Sequence, residues 1–319
     1  MFTNKPSIHP YHAFNSNADA EKLHKAMKGV GCDKDKIIDV LCERSNWQRQ
    51  EIAEAYKVMY GKDLIHELKS ELSGDFETFI LGLMEIPSHF DAHQLHKAIA
   101  GIGTKESVLI EIMTTRTNDQ IRKIKAAYDE MFHHSLEHDI IGDTSGPFQN
   151  ILVSLCQGER DESHHTDHHK AKHDAQKLFR AGETRLGKDD SCFNIILGSQ
   201  NFAQLYLIFD EYEHVAEHSI EKAIETEFKG DIRDALLAII KVIRNRSSFF
   251  AELLYNSMKG MGTRDNDLIR LIVSRSEVDL RDIAQVYQQK YEKSLKDAIK
   301  SECSGAYKNG LIALVKGNH

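Results

Sequence analysis

Apolar residues recur along this chain at the spacing of an amphipathic helix. They fall at Ile37, Ile38 and Leu41, return at Leu109, Ile110 and Met113, and return again at Leu268, Ile269 and Ile272. Each set makes one stripe on a helix of 3.6 residues per turn. In the same part of the chain, stretches 18–28, 48–60, 62–72 and 75–84 carry the same period and are punctuated by Gly61 and Gly74. Together with the helix around Ile37 they predict a bundle of five helices.

The pattern repeats. Before each Ile/Leu stripe stands a glycine phrase: MKGVGCD at 27–33, IAGIGTK at 99–105 and MKGMGTR at 258–264, with a looser fourth, AGETRLGKD, at 181–189. The final glycines Gly31, Gly103, Gly187 and Gly262 are 72, 84 and 75 residues apart. In that register Tyr56, Tyr128, Tyr212 and Tyr287 coincide, as do Gly74, Gly146, Gly230 and Gly305. The expected architecture is all-α, four repeats of five helices each. The tyrosines and the Ile/Leu stripes are core positions. A head over 1–14 precedes repeats at 15–86 and 87–158; a polar linker at 159–171, within the connector 157–171, leads to repeats at 172–245 and 246–319.

Composition agrees with helices, since only four prolines occur in 319 residues. No uninterrupted apolar run exceeds about six residues, against roughly 20 for a membrane span, and MFTNKPSIHPYHAF lacks the apolar core of a signal peptide. A cytoplasmic protein, peripheral to any membrane it meets, is expected. Five cysteines without CxxC spacing give neither a disulfide framework nor a zinc site. A net charge of −8 argues against nucleic acid and against direct adhesion to an anionic membrane. An acidic partner would need a cationic bridge.

The chemistry that could supply one lies at a fixed offset. Forty residues after each final glycine stands a carboxylate: Glu71, Asp143, Glu227 and Glu302. A glycine-rich turn lets backbone carbonyls converge without Cβ obstruction, and a carboxylate from a second loop can complete an oxygen cage. Hard oxygens suit Ca²⁺. Three carbonyls and one bidentate carboxylate give five oxygens where Ca²⁺ takes six to eight, leaving room for water or a phosphate oxygen. One carboxylate also leaves half the ion's charge unneutralised, so an anionic headgroup is the natural last ligand.

These loops and acids, with S-R-S-E at 274–277 and G-D-T-S-G at 142–146, resemble the annexin repeat signature from about Ala18 to Val315. The resemblance implies a slightly curved disc, Ca²⁺ as cofactor, and calcium-dependent binding to acidic, phosphatidylserine-like phospholipid membranes without catalysis. It implies Ca²⁺ ligands at Met27, Gly29, Gly31 and Glu71; at Ile99, Gly101, Gly103 and Asp143; at Gly182, Arg185, Gly187 and Glu227; and at Met258, Gly260, Gly262 and Glu302. Cys32 and Lys188 depart from the threonine found at Thr104 and Thr263, and Ala100 from the usual basic residue. The family's central polar channel has counterparts in Asp91, Glu111, Arg116 and Arg270; paired charges locking the fold are the other reading of that quartet. The head, with two prolines, does not suit the amphipathic helix by which some annexins recruit EF-hand partners. Self-association on the membrane is left open.

Val30, Ile102, Leu186 and Met261 are apolar tips of otherwise polar turns, placed to enter a membrane's headgroup layer or to fold back on their own helices. Two other readings stay in view. His164, His165, His168 and His169 could bind a transition metal, or simply be a solvated linker; and a helical scaffold could bind proteins without Ca²⁺. No GxSxG, HExxH, P-loop, GxGxxG or EF-hand loop supports an enzyme or another cofactor.

Overall fold

The computed structural model describes residues 4–29, 31–101, 103–183 and 190–318. Among these residues every regular element is helical. The first repeat holds α1 (Ser16–Met27), α2 (Lys34–Leu41), α3 (Asn46–Tyr60), α4 (Leu64–Glu71) and α5 (Gly74–Met84). The second holds α6 (Pro87–Ile99), α7 (Glu106–Thr115), α8 (Asn118–Phe132), α9 (Leu136–Asp143) and α10 (Gly146–Cys156). Then follow α11 (His168–Glu183), α12 (Asp190–Ser199), α13 (Phe202–Ala216), α14 (Ile220–Glu227) and α15 (Gly230–Met258). The last repeat adds α16 (Asp265–Arg275), α17 (Leu280–Tyr291), α18 (Leu295–Glu302) and α19 (Gly305–Lys316). Within α15 Asn245 is non-helical (φ −162°, ψ 97°), so this element serves as the last helix of the third repeat and the first of the fourth.

Local chemistry repeats as faithfully as the helices do. In the first three repeats the third helix starts at a side-chain cap, with full capping boxes at Ser45/Gln48 and Thr117/Gln120 that satisfy two orphan donors each and Asn201 accepting from Gln204 N–H, whereas Asp279 before α17 makes no such bond. The third helix ends at a left-handed residue in every repeat: Gly61, His133, Glu217 and Glu292, with φ of 65°, 58°, 60° and 54°. The expected core positions are buried: Tyr56, Tyr128, Tyr212 and Tyr287, and the Ile/Leu/Met stripes of α2, α7 and α16. Each buried aliphatic side chain contributes about 1.5–3 kcal/mol relative to exposure.

The chain divides into two compact units, one of residues 1–90 with 247–319 and one of 91–246. In the first unit α5 packs on α16 and α19, and α19 on α2. Its head is an extended strap: the N–H groups of Ser7 and Ile8 donate to Ser276 O at 2.9 and 3.0 Å, and both residues are buried. No helix forms over residues 4–15, as the two prolines lead one to expect. In the second unit α10 packs on α7 and α12.

The connector is shorter than its composition suggests. Asp167 accepts from Lys170 N–H at 3.0 Å and caps α11, so His168 and His169 are helical rather than part of a linker running to 171. The irregular part is pinned: Asn118 Nδ2 donates to Arg160 O (2.7 Å), Arg160 N–H to Asn118 Oδ1 (3.1 Å) and Asp161 N–H to Ser199 O (2.8 Å). None of the described helices is long and apolar enough to cross a membrane.

Candidate metal centres

Three glycine loops can be compared directly, and one hydrogen bond closes each of them. Asp33 N–H donates to Ala26 O (2.9 Å), Lys105 N–H to Ala98 O (3.0 Å) and Arg264 N–H to Ser257 O (2.8 Å). The turn needs backbone angles that L side chains resist: φ is 109° at Gly29 and 108° at Gly260, and 87°, 81° and 89° at Gly31, Gly103 and Gly262. A Cβ on any of these five would meet no heavy atom within 4 Å, so the angle, and not crowding, demands glycine. Gly101 lies outside the left-handed region, and the second loop thus differs from the other two at its first glycine.

Each carboxylate is the last residue of an eight-residue helix, Glu71 in α4, Asp143 in α9, Glu227 in α14 and Glu302 in α18. All four helices start at a capping side chain, Asp63, Ser135, Ser219 or Ser294. Three residues beyond each acid a glycine with φ between 61° and 65° opens the next helix. The fixed forty-residue offset is therefore produced by recurring caps and stops.

The two loops meet. Thr104 Oγ1 donates to Asp143 Oδ2 at 2.5 Å and lies 3.4 Å from Asp143 O; Thr263 Oγ1 lies 3.5 Å from Glu302 O. Cys32 takes the threonine's place in the first repeat, where burial and then the charge of Glu71 push its thiol pKa up. Carbonyls left over at the end of α1 and a carboxylate at the end of α4 come from helix C-termini, whose negative ends favour a cation. Such a donor set fits Ca²⁺. No three His, Cys, Asp or Glu side chains gather into a metal-binding group among the described residues. Within 164–169, His165 O instead accepts from Asn201 Nδ2 at 2.9 Å.

Met27, Ile99 and Met258 are the last residues of α1, α6 and α15. Gly182 lies in the last turn of α11. Met261 stands fully in solvent, at 107% relative exposure. Val30, Ile102, Arg185, Leu186 and Gly187 lie outside the described residues.

In the second unit Asp91 is bound to Arg116 through two hydrogen bonds of 2.7 and 2.8 Å, both residues buried, and Glu111 is buried too. Arg270, in the first unit, pairs with Asp267 at 2.9 Å. The Asp91–Arg116 pair recurs as Asp19–Arg44 at 2.8 and 3.1 Å. In the third repeat Gln200 replaces the arginine and shares Asp174 with Lys170 (2.8 and 3.1 Å). In the fourth, Phe250 replaces the aspartate; Arg275 stacks on it at 4.3 Å and pairs with Asp279 at 2.7 Å. Sequence reading named Asp91 and Arg116, with a lock as one reading of them, but missed its recurrence, whose signal stands twelve residues before the final glycine (thirteen at Asp174, where the loop is one residue longer) and thirteen after it.

A family model described as Annexin matches residues 18–83, 90–155, 173–239 and 249–314. The chain is 48% identical over 309 residues to annexin A7 of Homo sapiens, which covers 97% of this chain and 63% of that protein. It thus spans less than two thirds of that relative's length. Among solved structures it is similar to annexin III, with a TM-score of 0.96 and 44% identity over 99% of this chain and 98% of that one. It is also similar to calcium-bound annexin (Sm)1, with a TM-score of 0.89 and 34% identity over 99% of this chain and 94% of that one.

Proposed function

This chain belongs to the annexin family, and we propose that it binds acidic phospholipid membranes when Ca²⁺ fills its glycine loops. The observation that carries the reading is the meeting of loop and acid across 39 residues of chain, Thr104 Oγ1 to Asp143 Oδ2 at 2.5 Å. A left-handed glycine turn and a helix-terminal carboxylate, held together, are what an oxygen-coordinated ion needs.

The carbonyls of Met27, Gly29 and Gly31 with Glu71 would hold one ion, those of Ile99, Gly101 and Gly103 with Asp143 a second, and those of Met258, Gly260 and Gly262 with Glu302 a third. Gly182, Arg185 and Gly187 with Glu227 would hold a fourth. Bound there, Ca²⁺ supplies positive charge and open coordination positions to a lipid phosphate. The residues' own part is to present neutral carbonyls and a single carboxylate, so that each site keeps net positive charge outward. Asp91 and Arg116, joined to each other in the same way as Asp19 and Arg44, serve to lock helices rather than to conduct ions.

Sedimentation with phosphatidylserine vesicles tests the reading. The chain should pellet at raised Ca²⁺ and be released by a chelator. Glu71→Gln, Asp143→Asn, Glu227→Gln and Glu302→Gln combined should abolish pelleting while helical circular dichroism is unchanged. Pelleting that ignores chelation, or a quadruple variant that pellets at the same Ca²⁺ level, would refute it.

A further inference from the structure

One corner recurs in every repeat, the turn between its second and third helices, where the last carbonyls of the second helix need donors. In the first repeat Arg49, buried, fills this need. Its Nη1 donates to Leu41 O (3.2 Å) and to Arg44 O, and its Nη2 to Glu277 Oε1 (2.8 Å), which also accepts Asn46 N–H (2.7 Å). In the third repeat the connector supplies the guanidinium, with Arg160 Nη1 donating to Gln200 O at 2.8 Å. In the fourth the head strap donates to Ser276 O.

The second repeat has the same acceptors but no arginine at the matching position. Asn118 N–H donates to Glu162 Oε1 at 2.8 Å, the counterpart of Asn46 and Glu277. Met113 O stands where Leu41 O stands, but the position of Arg49 is taken by Ile121, which has no donor to offer. A cavity of about 240 Å³ opens at that corner, lined by Met113, Ile121, Glu162 and Phe202. A single water needs only roughly 10–15 Å³.

The charge of the walls agrees. Arg116 is matched by Asp91. Beyond that pair the lining holds three acids, Glu159, Asp161 and Glu162, and two arginines, Arg160 and Arg246. Arg160 is already engaged by Gln200 O and lies 5.2 Å from the centre of the Phe202 ring. The negative end of α7 points the same way.

We propose that this cavity binds a guanidinium or alkylammonium group, carried by a small amine or by an arginine side chain of a protein partner, in the place that Arg49 fills in the first repeat. The group bridges Met113 O to Glu162, as Arg49 bridges Leu41 O to Glu277.

Calorimetric titration of the full chain tests this with three probes: agmatine, the capped peptide acetyl-Gly-Arg-Gly-amide, and inorganic phosphate. Saturable binding of a guanidinium probe is expected, weakened tenfold or more by Glu162→Gln and by Ile121→Arg, which installs the missing guanidinium. Agmatine binding alone assigns a small amine; tighter binding of the peptide assigns a partner's arginine. If Ile121→Arg fails to fold, judged by circular dichroism, Glu162→Gln carries the comparison. No saturation by either guanidinium probe, affinity indifferent to Glu162→Gln, or phosphate binding in their stead would overturn the proposal.

Discussion

Met261 offers the cleanest test of whether loop tips enter the membrane. An apolar tip could serve its own fold by packing back on the helices, and then its loss would be felt as instability. Met261 cannot do that, since its side chain is fully exposed at 107% and has no packing to lose. Met261→Ser should therefore leave unfolding by denaturant unchanged. Full burial of a methionine side chain contributes about 1.5–3 kcal/mol. Immersion to headgroup depth yields part of that, about 1 kcal/mol, or roughly fivefold in vesicle affinity. Vesicle sedimentation at saturating Ca²⁺, read as the lipid concentration for half-binding, measures the difference. Met261→Leu is the control that keeps the apolar surface and should bind like the parent chain. Adding Val30→Ser, Ile102→Ser and Leu186→Ser should bring the loss to tenfold or more. Equal affinity of Met261→Ser and the parent would show that ion bridging alone holds the membrane, and an equal loss in Met261→Leu would show that apolar surface is not what the tip contributes.

Asp91→Ala strands a buried Arg116 and should cost about 3–5 kcal/mol in guanidinium denaturation of the second unit, whereas a cost under 1 kcal/mol would contradict the lock. His133→Gly, Glu217→Gly and Glu292→Gly relieve left-handed strain at φ of 58°, 60° and 54° and should each stabilise by about 0.5–1 kcal/mol; any that destabilises shows that its side chain does more there than cap. Burial pushes the Cys42 thiol up to about 12, so a disulfide reagent at pH 8 should modify half-exposed Cys32 well before Cys42. Because the unfolded thiol of Cys42 ionises from about pH 8.5 while the folded one does not, its contribution to stability is complete below that pH and falls away as pH rises towards 12.

The repeat was legible because it is written in residues with few conformational substitutes. A left-handed glycine such as Gly31 or Gly262 and the side-chain caps Ser45 and Ser294 mark helix ends whatever the tertiary setting. The placing of the acids beside the glycine loops was legible from the same signals, since Glu71 and its counterparts are fixed by helix stops, while their ligation of a metal ion belongs to the proposal. What escaped was everything decided by compensation between positions. The buried lock is Asp–Arg twice, then Asp–Gln with Lys170, then Phe–Arg with Asp279, and a search for one residue type at one position passes over it. The extent of the connector escaped for a similar reason: a polar run reads as linker until Asp167 is seen to cap α11.

Compensation also bears on why the proposed function would use four weak sites rather than one strong one. The chain carries a formal −8, and four doubly charged ions would bring 4 × 2 = +8, so full occupancy cancels it. On the proposed ligation each site alone would hold its ion with a single carboxylate, so that affinity would be low until a phosphate oxygen completed the shell. On the proposed function the chain and an acidic surface would repel without Ca²⁺, and with it repulsion would fade as attraction was added at the same ions. Every proposed site engaged would raise the local concentration of lipid at the others, so the response to Ca²⁺ would be steeper than any one loop could give. A single high-affinity site, rich in carboxylates, would be filled at resting Ca²⁺ and would leave no outward charge for a lipid. On this proposal, sparse ligation in each loop, repeated, would let the membrane itself be part of the metal site.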